Sequence, residues 1–202
     1  LISGMWGECL FRTPTFRIDH AKSIPDAIGS GMKVYSTYDV AEKYKGVVPL
    51  KEMSGYRIGG YKVFVIPAKH DVPCYAYVIE HKDMGKLLFV TDTMMLEYKV
   101  AGLNHIMIEA NYSDEIVDKN IDKGYIPSSM RDRLMTTHFS IDNAIGMLKA
   151  NDLSHVNNIV LLHLSSIDSN EDEFRRKVTQ ATGKTVYVAK KGLEIYVGKD
   201  VY

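Results

Sequence analysis

Gly85-Lys86-Leu87-Leu88-Phe89-Val90-Thr91-Asp92-Thr93 reads as a strand that runs directly into an acidic turn. Its apolar residues are aliphatic, aromatic or β-branched, it begins at a glycine, and it stops at polar turn chemistry. Two further stretches repeat the design. His105-Ile106-Met107-Ile108-Glu109-Ala110 is a buried strand that delivers a carboxylate at its end, and Ile159-Val160-Leu161-Leu162-His163-Leu164 delivers an imidazole. Helical segments predicted from Asp114 to Asp122 and from Ile141 to Asn151 fall between them, so strand and helix alternate.

Working outward, Tyr61 to Pro67 and Cys74 to Glu80 alternate as neighbouring strands. Upstream, Ala21 to Gly29 reads as a short helix closed by Gly29 and Gly31, and Lys33 to Tyr38 as a strand. Downstream, Phe174 and Val178 place a helix over Glu171 to Thr182. Thr185 to Ala189 and Leu193 to Val197 then read as a strand pair around the Lys191-Gly192 turn. Antiparallel strands at both ends, flanking strand-helix alternation, imply two sheets face to face with helices outside, an α/β arrangement.

The length of 202 residues with 46% hydrophobic content suits one domain over 1–202, with 1–17 left unassigned. The first residue is Leu, and Leu1 to Thr15 shows neither alternation nor a helical stripe, which points to a chain incomplete at its N-terminus. Lys plus Arg equals Asp plus Glu at 25 each, so no global field draws in a polyanion, and such a substrate would have to be held locally. Two distant cysteines, Cys9 and Cys74, signal neither a disulfide framework nor a thiolate zinc site, and a reducing cytoplasmic setting is expected. The apolar runs are strand-sized, so no membrane partner is expected. The chain could be a homodimer.

Asp19, His20, His70, Asp92, His138 and His163 lie at predicted strand ends or just before helices. Such residues can converge on one sheet edge, and the N/O donor mixture suits zinc or another divalent first-row metal. Each also has a structural reading. Asp19 could cap the following helix, Asp92 could only turn the chain, and His138 could be a loop residue before the helix that Ser140 caps. Glu109, at the end of a buried strand, needs a partner, and pairing with His138 would satisfy both. His81, His105 and His155 read as structural or surface residues, and Met94-Met95-Leu96 as core or pocket wall. Arg131, Arg133 and Lys123 read as a solvated face before a phosphate grip, and Tyr75, Tyr112 and Tyr125 are not distinguished from other tyrosines.

Over Thr15 to Val197 the order of these pieces resembles the metallo-β-lactamase-fold hydrolases, most closely the ribonuclease Z and DNA-repair nuclease branch. Asp19-His20 resembles the end of the family's His-x-His-x-Asp-His loop, and Lys69-His70-Asp-Val-Pro-Cys-Tyr the segment where a ligand histidine precedes a strand. Thr91-Asp92-Thr93 is similar to the turn whose aspartate bridges two metals, and Leu162-His163 to the last ligand motif. Ile108-Glu109-Ala-Asn111 resembles the branch's His-Glu-Ala-Thr motif, and His138-Phe-Ser its His-Ser-Thr motif.

The resemblance implies a four-layer αββα sandwich holding one or two divalent ions, zinc or manganese. It implies Asp19, His20, His70, Asp92 and His163 as ligands, with Asp19, Glu109 and His138 as the catalytic residues. It further implies a metal-dependent hydrolase acting on phosphodiesters in nucleic acid or nucleotides. The departure is that Thr15 and Arg17 stand where the first two histidines belong. Neither is a ligand, and an arginine there opposes a cation beside His70. The alternative is therefore an impaired member of the fold that binds nucleic acid or another ligand; thioester or lactam hydrolysis would use the same ligands without needing Glu109 and His138.

Overall fold

The computed structural model describes residues 23–199 and the backbone of the strand Cys9–Phe11. The described residues form two sheets. The smaller is parallel and runs β1 (Cys9–Phe11), β2 (Lys33–Ser36), β3 (Val47–Pro49). The larger has seven strands in the order β10-β9-β8-β7-β6-β5-β4, namely Thr185–Val188, Asn158–Leu162, His105–Glu109, Gly85–Val90, Cys74–His81, Tyr61–Ala68 and Gly55–Ile58. Strands β4 to β7 pair antiparallel, and β7 to β10 pair parallel.

The period-2 geometry of a strand explains why the central strands are apolar almost throughout. Tyr75, Tyr77, Ile79 and Leu87 face one way and form a core with Leu50, against which Tyr35 of β2 packs. Ala76, Leu88, Val90, Ile106, Ile108, Ile159 and Leu161 face the other way. That face is covered by α5 (Ile141–Ala150) and α6 (Glu171–Thr182), through Ile141, Ala144, Leu148, Phe174 and Val178. On the outside of the small sheet, α1 (Ser23–Gly29) and α2 (Tyr38–Lys43) bury Ile24, Ala27 and Val40 against Val34 and Val47. The layers are therefore α, β, β, α, as the sequence suggests. Helices α3 (Asp114–Asp122) and α4 (Ser129–Thr137) form a satellite around Tyr112, Val117, Ile126 and Leu134.

The two outer-layer helices on the large sheet carry legible ends. Ser140 caps α5 by accepting from the Asn143 N–H, and Asn170 caps α6 by accepting from the Glu173 N–H. Glu171, Asp172 and Glu173 sit in the first turn of α6, where the helix dipole favours them, and Gly183 closes it at φ 67°.

The expected terminal hairpin is not formed. β10 pairs parallel to β9, and Leu193 to Val197 is not a strand. Side chains hold this segment instead: Asn158 Nδ2 donates to Tyr196 O (2.8 Å), Asn157 Nδ2 to Lys199 O (3.0 Å), and His105 Nε2 meets Gly198 O (3.1 Å). Val197 packs against the core between the sheets, which gives its apolar side chain a site without strand pairing. Two helices, α2 and α4, and three short strands, β1, β3 and β4, also stand where the sequence reading placed nothing regular or, at Tyr38, the end of a strand.

Since β7, β8 and β9 are parallel, their carboxyl ends share one edge of the sheet, and β6, running the other way, begins there. Outside the carboxyl ends of parallel strands is where open α/β sheets place their sites.

Candidate metal centre

Strands β7, β8 and β9 each deliver one polar residue at this edge. After β7 the chain turns at Asp92 with φ 55°, and after β9 it turns at His163 with φ 54°. A left-handed backbone at a non-glycine residue costs about 1–2 kcal/mol, and such strain gathers where a side chain must be aimed. Glu109 is the last residue of β8 and is fully buried. His138 arrives from the C-terminal end of α4. The following segment lies alongside the continuation of β8: Asn111 N–H donates to Phe139 O (2.9 Å), Ile141 N–H donates to Tyr112 O (2.8 Å), and Tyr112 and Ser140 form a parallel bridge.

These approaches bring Asp92, Glu109, His138 and His163 together, one donor atom from each lying within 4.8 Å of all the others. Glu109 is the hub. Its Oε1 is 2.7 Å from His138 Nδ1 and 2.8 Å from His163 Nδ1, while Oε2 accepts from the Thr93 N–H (3.3 Å). His163 Nδ1 is also 3.2 Å from Asp92 Oδ1. Two buried carboxylates so close together require positive charge between them. In the protein alone His163 supplies it. Burial opposes a charge on this ring, but the hydrogen bonds to Asp92 and Glu109 and the charge of both carboxylates outweigh it and push the pKa up to about 10.

His70 lies on the loop between β5 and β6, and that loop is tied to the Asp92 turn. Thr93 Oγ1 accepts from the Lys69 N–H (2.9 Å), and the Met94 N–H donates to Lys69 O (3.0 Å). The His70 ring stands edge-on to that of His138 at 5.9 Å between centroids, and His138 is edge-on to His163 at 5.2 Å. Asp71 engages His70 Nδ1 through its N–H (2.7 Å) and its carboxylate. Nε2 is buried without a hydrogen-bond partner among the described residues. A buried imidazole nitrogen with no partner is costly unless something else occupies it.

Carboxylate and imidazole donors of this kind fit a divalent cation. The orphaned His70 Nε2 and the carboxylate pair are what such an ion would satisfy. Cys74, nearby, is buried with its thiol towards Thr91 O (3.8 Å), and burial, then the charges of Asp92 and Glu109, push its thiol pKa up.

Of the candidates named from sequence, the structure thus brings Asp92, Glu109, His138 and His163 together and sets His70 beside His138. Asp19 and His20, with Thr15 and Arg17, lie outside the described residues. Arg131 is occupied by Asp114 and Asp118, tying α4 to α3. Leu96 belongs to the core, while Met95 is exposed. The sequence reading assigned no role to Thr93 or Asn111. Thr93 ties two loops of the site, and Asn111 Nδ2 donates to His163 O (2.8 Å). Both stand within motifs that carry the resemblance, Thr93 one residue beyond Asp92 and Asn111 two beyond Glu109, but a motif position does not name a hydrogen-bond partner.

No family model matches the chain, and no curated protein matches it by sequence. Solved structures do match. YhfI from Bacillus subtilis, a metallo-β-lactamase-fold protein, superposes with a TM-score of 0.66 at 14% identity, covering 92% of this chain and 76% of its own. Igni18, a metallo hydrolase of Ignicoccus hospitalis, gives 0.63 at 15%, covering 92% and 77%. A diphosphatase of the PhnP family gives 0.57 at 15%, covering 92% and 69%. At these identities the likeness establishes the fold.

Proposed function

We propose that this chain, which has the metallo-β-lactamase fold, is a metal-dependent phosphodiesterase acting on nucleic acid or nucleotides. The observation that carries the reading is the buried Glu109–His138 pair, 2.7 Å apart, within the same cluster as Asp92 and His163. A metal site alone would serve any hydrolysis on this fold. An imidazole held by a buried carboxylate beside it serves a reaction with a poor leaving group. That a diphosphatase is built on the same fold is compatible with phosphate chemistry at this edge.

Asp92, His163 and His70 would hold the cation, together with Asp19 and His20. A divalent ion, zinc or manganese, supplies Lewis-acid stabilisation of the phosphoryl oxygens and lowers the pKa of a water to about 7. The remaining steps belong to the side chains. Glu109 accepts from His138 Nδ1–H, which fixes the ring and leaves Nε2 to carry the transferable proton. As water oxygen bonds to phosphorus and the ester P–O bond breaks, the departing oxygen takes that proton, and Asp19 would assist removal of the proton from water. Glu109 stabilises the imidazolium before transfer and is not itself protonated, as with the carboxylate of a catalytic triad.

The test is turnover of two phosphodiesters with zinc or manganese supplied: bis-p-nitrophenyl phosphate, whose leaving group needs little protonation, and a dinucleotide, whose leaving alkoxide does. Wild type should turn over both. Asp92→Ala should lose both, and His138→Ala should lose about a hundredfold or more on the dinucleotide and much less on the nitrophenyl ester. Metal-loaded wild type that cleaves neither would sink the proposal.

A further inference from the structure

Asn111 is buried at the end of β8, two residues beyond Glu109, and it bonds to both segments that carry the imidazoles. Its N–H donates to Phe139 O (2.9 Å), next to His138, and its C=O accepts from the Ser165 N–H (2.8 Å), two residues past His163. These are backbone bonds that any residue except proline could make. The third is particular to asparagine: Nδ2 donates to the carbonyl oxygen of His163 itself (2.8 Å).

That bond falls on a strained peptide. His163 holds a left-handed φ of 54°, a conformation uncommon for a residue that carries a Cβ. Relaxation towards an extended backbone would turn the Cα–Cβ bond and carry the ring away from Asp92 and Glu109. Further along, Ser165 and Asp168 tie their loop to itself and to Ser113, without touching the His163 peptide. Among the described residues Asn111 supplies the side-chain bond to that carbonyl.

We infer that Asn111 is a positioning residue of the metal centre, holding the strained His163 peptide so that its imidazole stays between Asp92 and Glu109. The inference rests on the metal-centre reading above. Removing a supporting hydrogen bond behind a metal-binding histidine typically weakens the metal about ten- to a hundredfold. The same span is expected here.

Cobalt(II) alone, added to the metal-free full chain, gives both an affinity and a visible d–d spectrum that reports the ligand set. Asn151→Ala is the matched control. Asn151 is likewise buried and doubly bonded, accepting from the Val100 N–H and donating to Met147 O (both 2.8 Å), but it lies on another part of the chain. Asn111→Ala should bind cobalt about ten- to a hundredfold more weakly, with altered band intensities, and Asn151→Ala should bind it as wild type does, even if both lower the urea midpoint. If Asn111→Ala does not fold, Asn111→Asp keeps the size and lacks the donor. It too should weaken cobalt binding, although its added negative charge alone would strengthen it.

Wild-type affinity and spectrum in a folded Asn111 variant would overturn the positioning role and leave the metal centre standing. So would an equal loss of affinity in Asn151→Ala, since the effect would then be one of general stability. Wild type that binds no cobalt would overturn the metal centre, and the inference with it.

Discussion

Glu109→Gln is the most exacting change that can be made to this site, because it alters charge and hydrogen-bond polarity at almost constant shape. Glu109 has no exposed surface, so water cannot compensate. Oε1 takes two imidazole nitrogens, at 2.7 and 2.8 Å, and Oε2 takes the Thr93 N–H at 3.3 Å. Every partner can be a donor. A glutamine has one oxygen and one NH₂: with the oxygen towards the imidazoles its NH₂ meets the Thr93 N–H, and with the oxygen on the Thr93 N–H its NH₂ needs both Nδ1 atoms to be acceptors of neutral rings. Either way no carboxylate charge remains bonded to His138. What is lost is the charge in the bond to His138, worth about 1.5–3 kcal/mol for a charge-assisted hydrogen bond against about 0.5–1.5 for a neutral one. A difference near 1.4 kcal/mol is tenfold in rate, so the turnover of a dinucleotide should fall about tenfold. The nitrophenyl ester should suffer less, and metal content should be checked in the same preparation, since Glu109 also touches His163. Undiminished dinucleotide turnover by Glu109→Gln at wild-type metal content would refute the role given to the pair.

Asp92→Asn should lower bound metal by at least about tenfold in affinity, measured by competition with a chromophoric chelator, because a neutral amide replaces the carboxylate facing His163. Saturating metal should raise the thermal midpoint of wild type, by about 4 kcal/mol of stability at a thousand times Kd, and should do so far less in Asp92→Asn. Burial lowers the pKa of His105 below its ordinary value of about 6.5. The unfolded chain therefore takes up this proton first as the pH falls, so the contribution of the neutral ring is complete above about pH 6.5 and is lost below it. The urea midpoint should drop between pH 7.5 and 5, less steeply in His105→Gln, and equal slopes in the two would contradict this. Gly85→Ala should destabilise by more than about 1 kcal/mol in urea unfolding: φ is +75°, and a Cβ would lie 2.1 Å from Asn104 Oδ1, the acceptor for the Lys86 N–H.

The chemistry-bearing edge was legible because its residues break a pattern. Asp92, Glu109 and His163 each interrupt or end an apolar run, and placing them there, the carboxylates buried and His163 half-buried, is accounted for when they meet. Pairing of Glu109 with His138 followed from the cost of an unpartnered buried carboxylate. What escaped the sequence was what burial does not mark. Helix α4 buries only Leu134 and Thr137, so no stripe announced it, and β4 is a four-residue edge strand with one buried residue. The Leu193 to Val197 segment failed in the opposite sense. It alternates like a strand, yet β10 pairs with β9 alone, and the amides of Asn157 and Asn158 take the carbonyls of the last segment. The role of Asn111 escaped because its partner is a backbone oxygen 52 positions away.

The two ends of the parallel strands are built to opposite specifications, and the contrast bears on function. At the amino end, His105 is buried by the terminal segment, held by backbone carbonyl and amide partners and disfavoured as a cation. That is how a histidine is accommodated when only stability is at stake. At the carboxyl end, two carboxylates and three imidazoles are gathered, two of them on left-handed residues, and His163 is driven to carry charge. Apolar residues of similar size in place of a buried ion cluster often leave a protein as stable or more so. Strain and charge concentrated at one edge of an otherwise regular sheet are therefore poorly explained by folding. They fit the metal centre proposed for this edge, where side chains would have to be aimed.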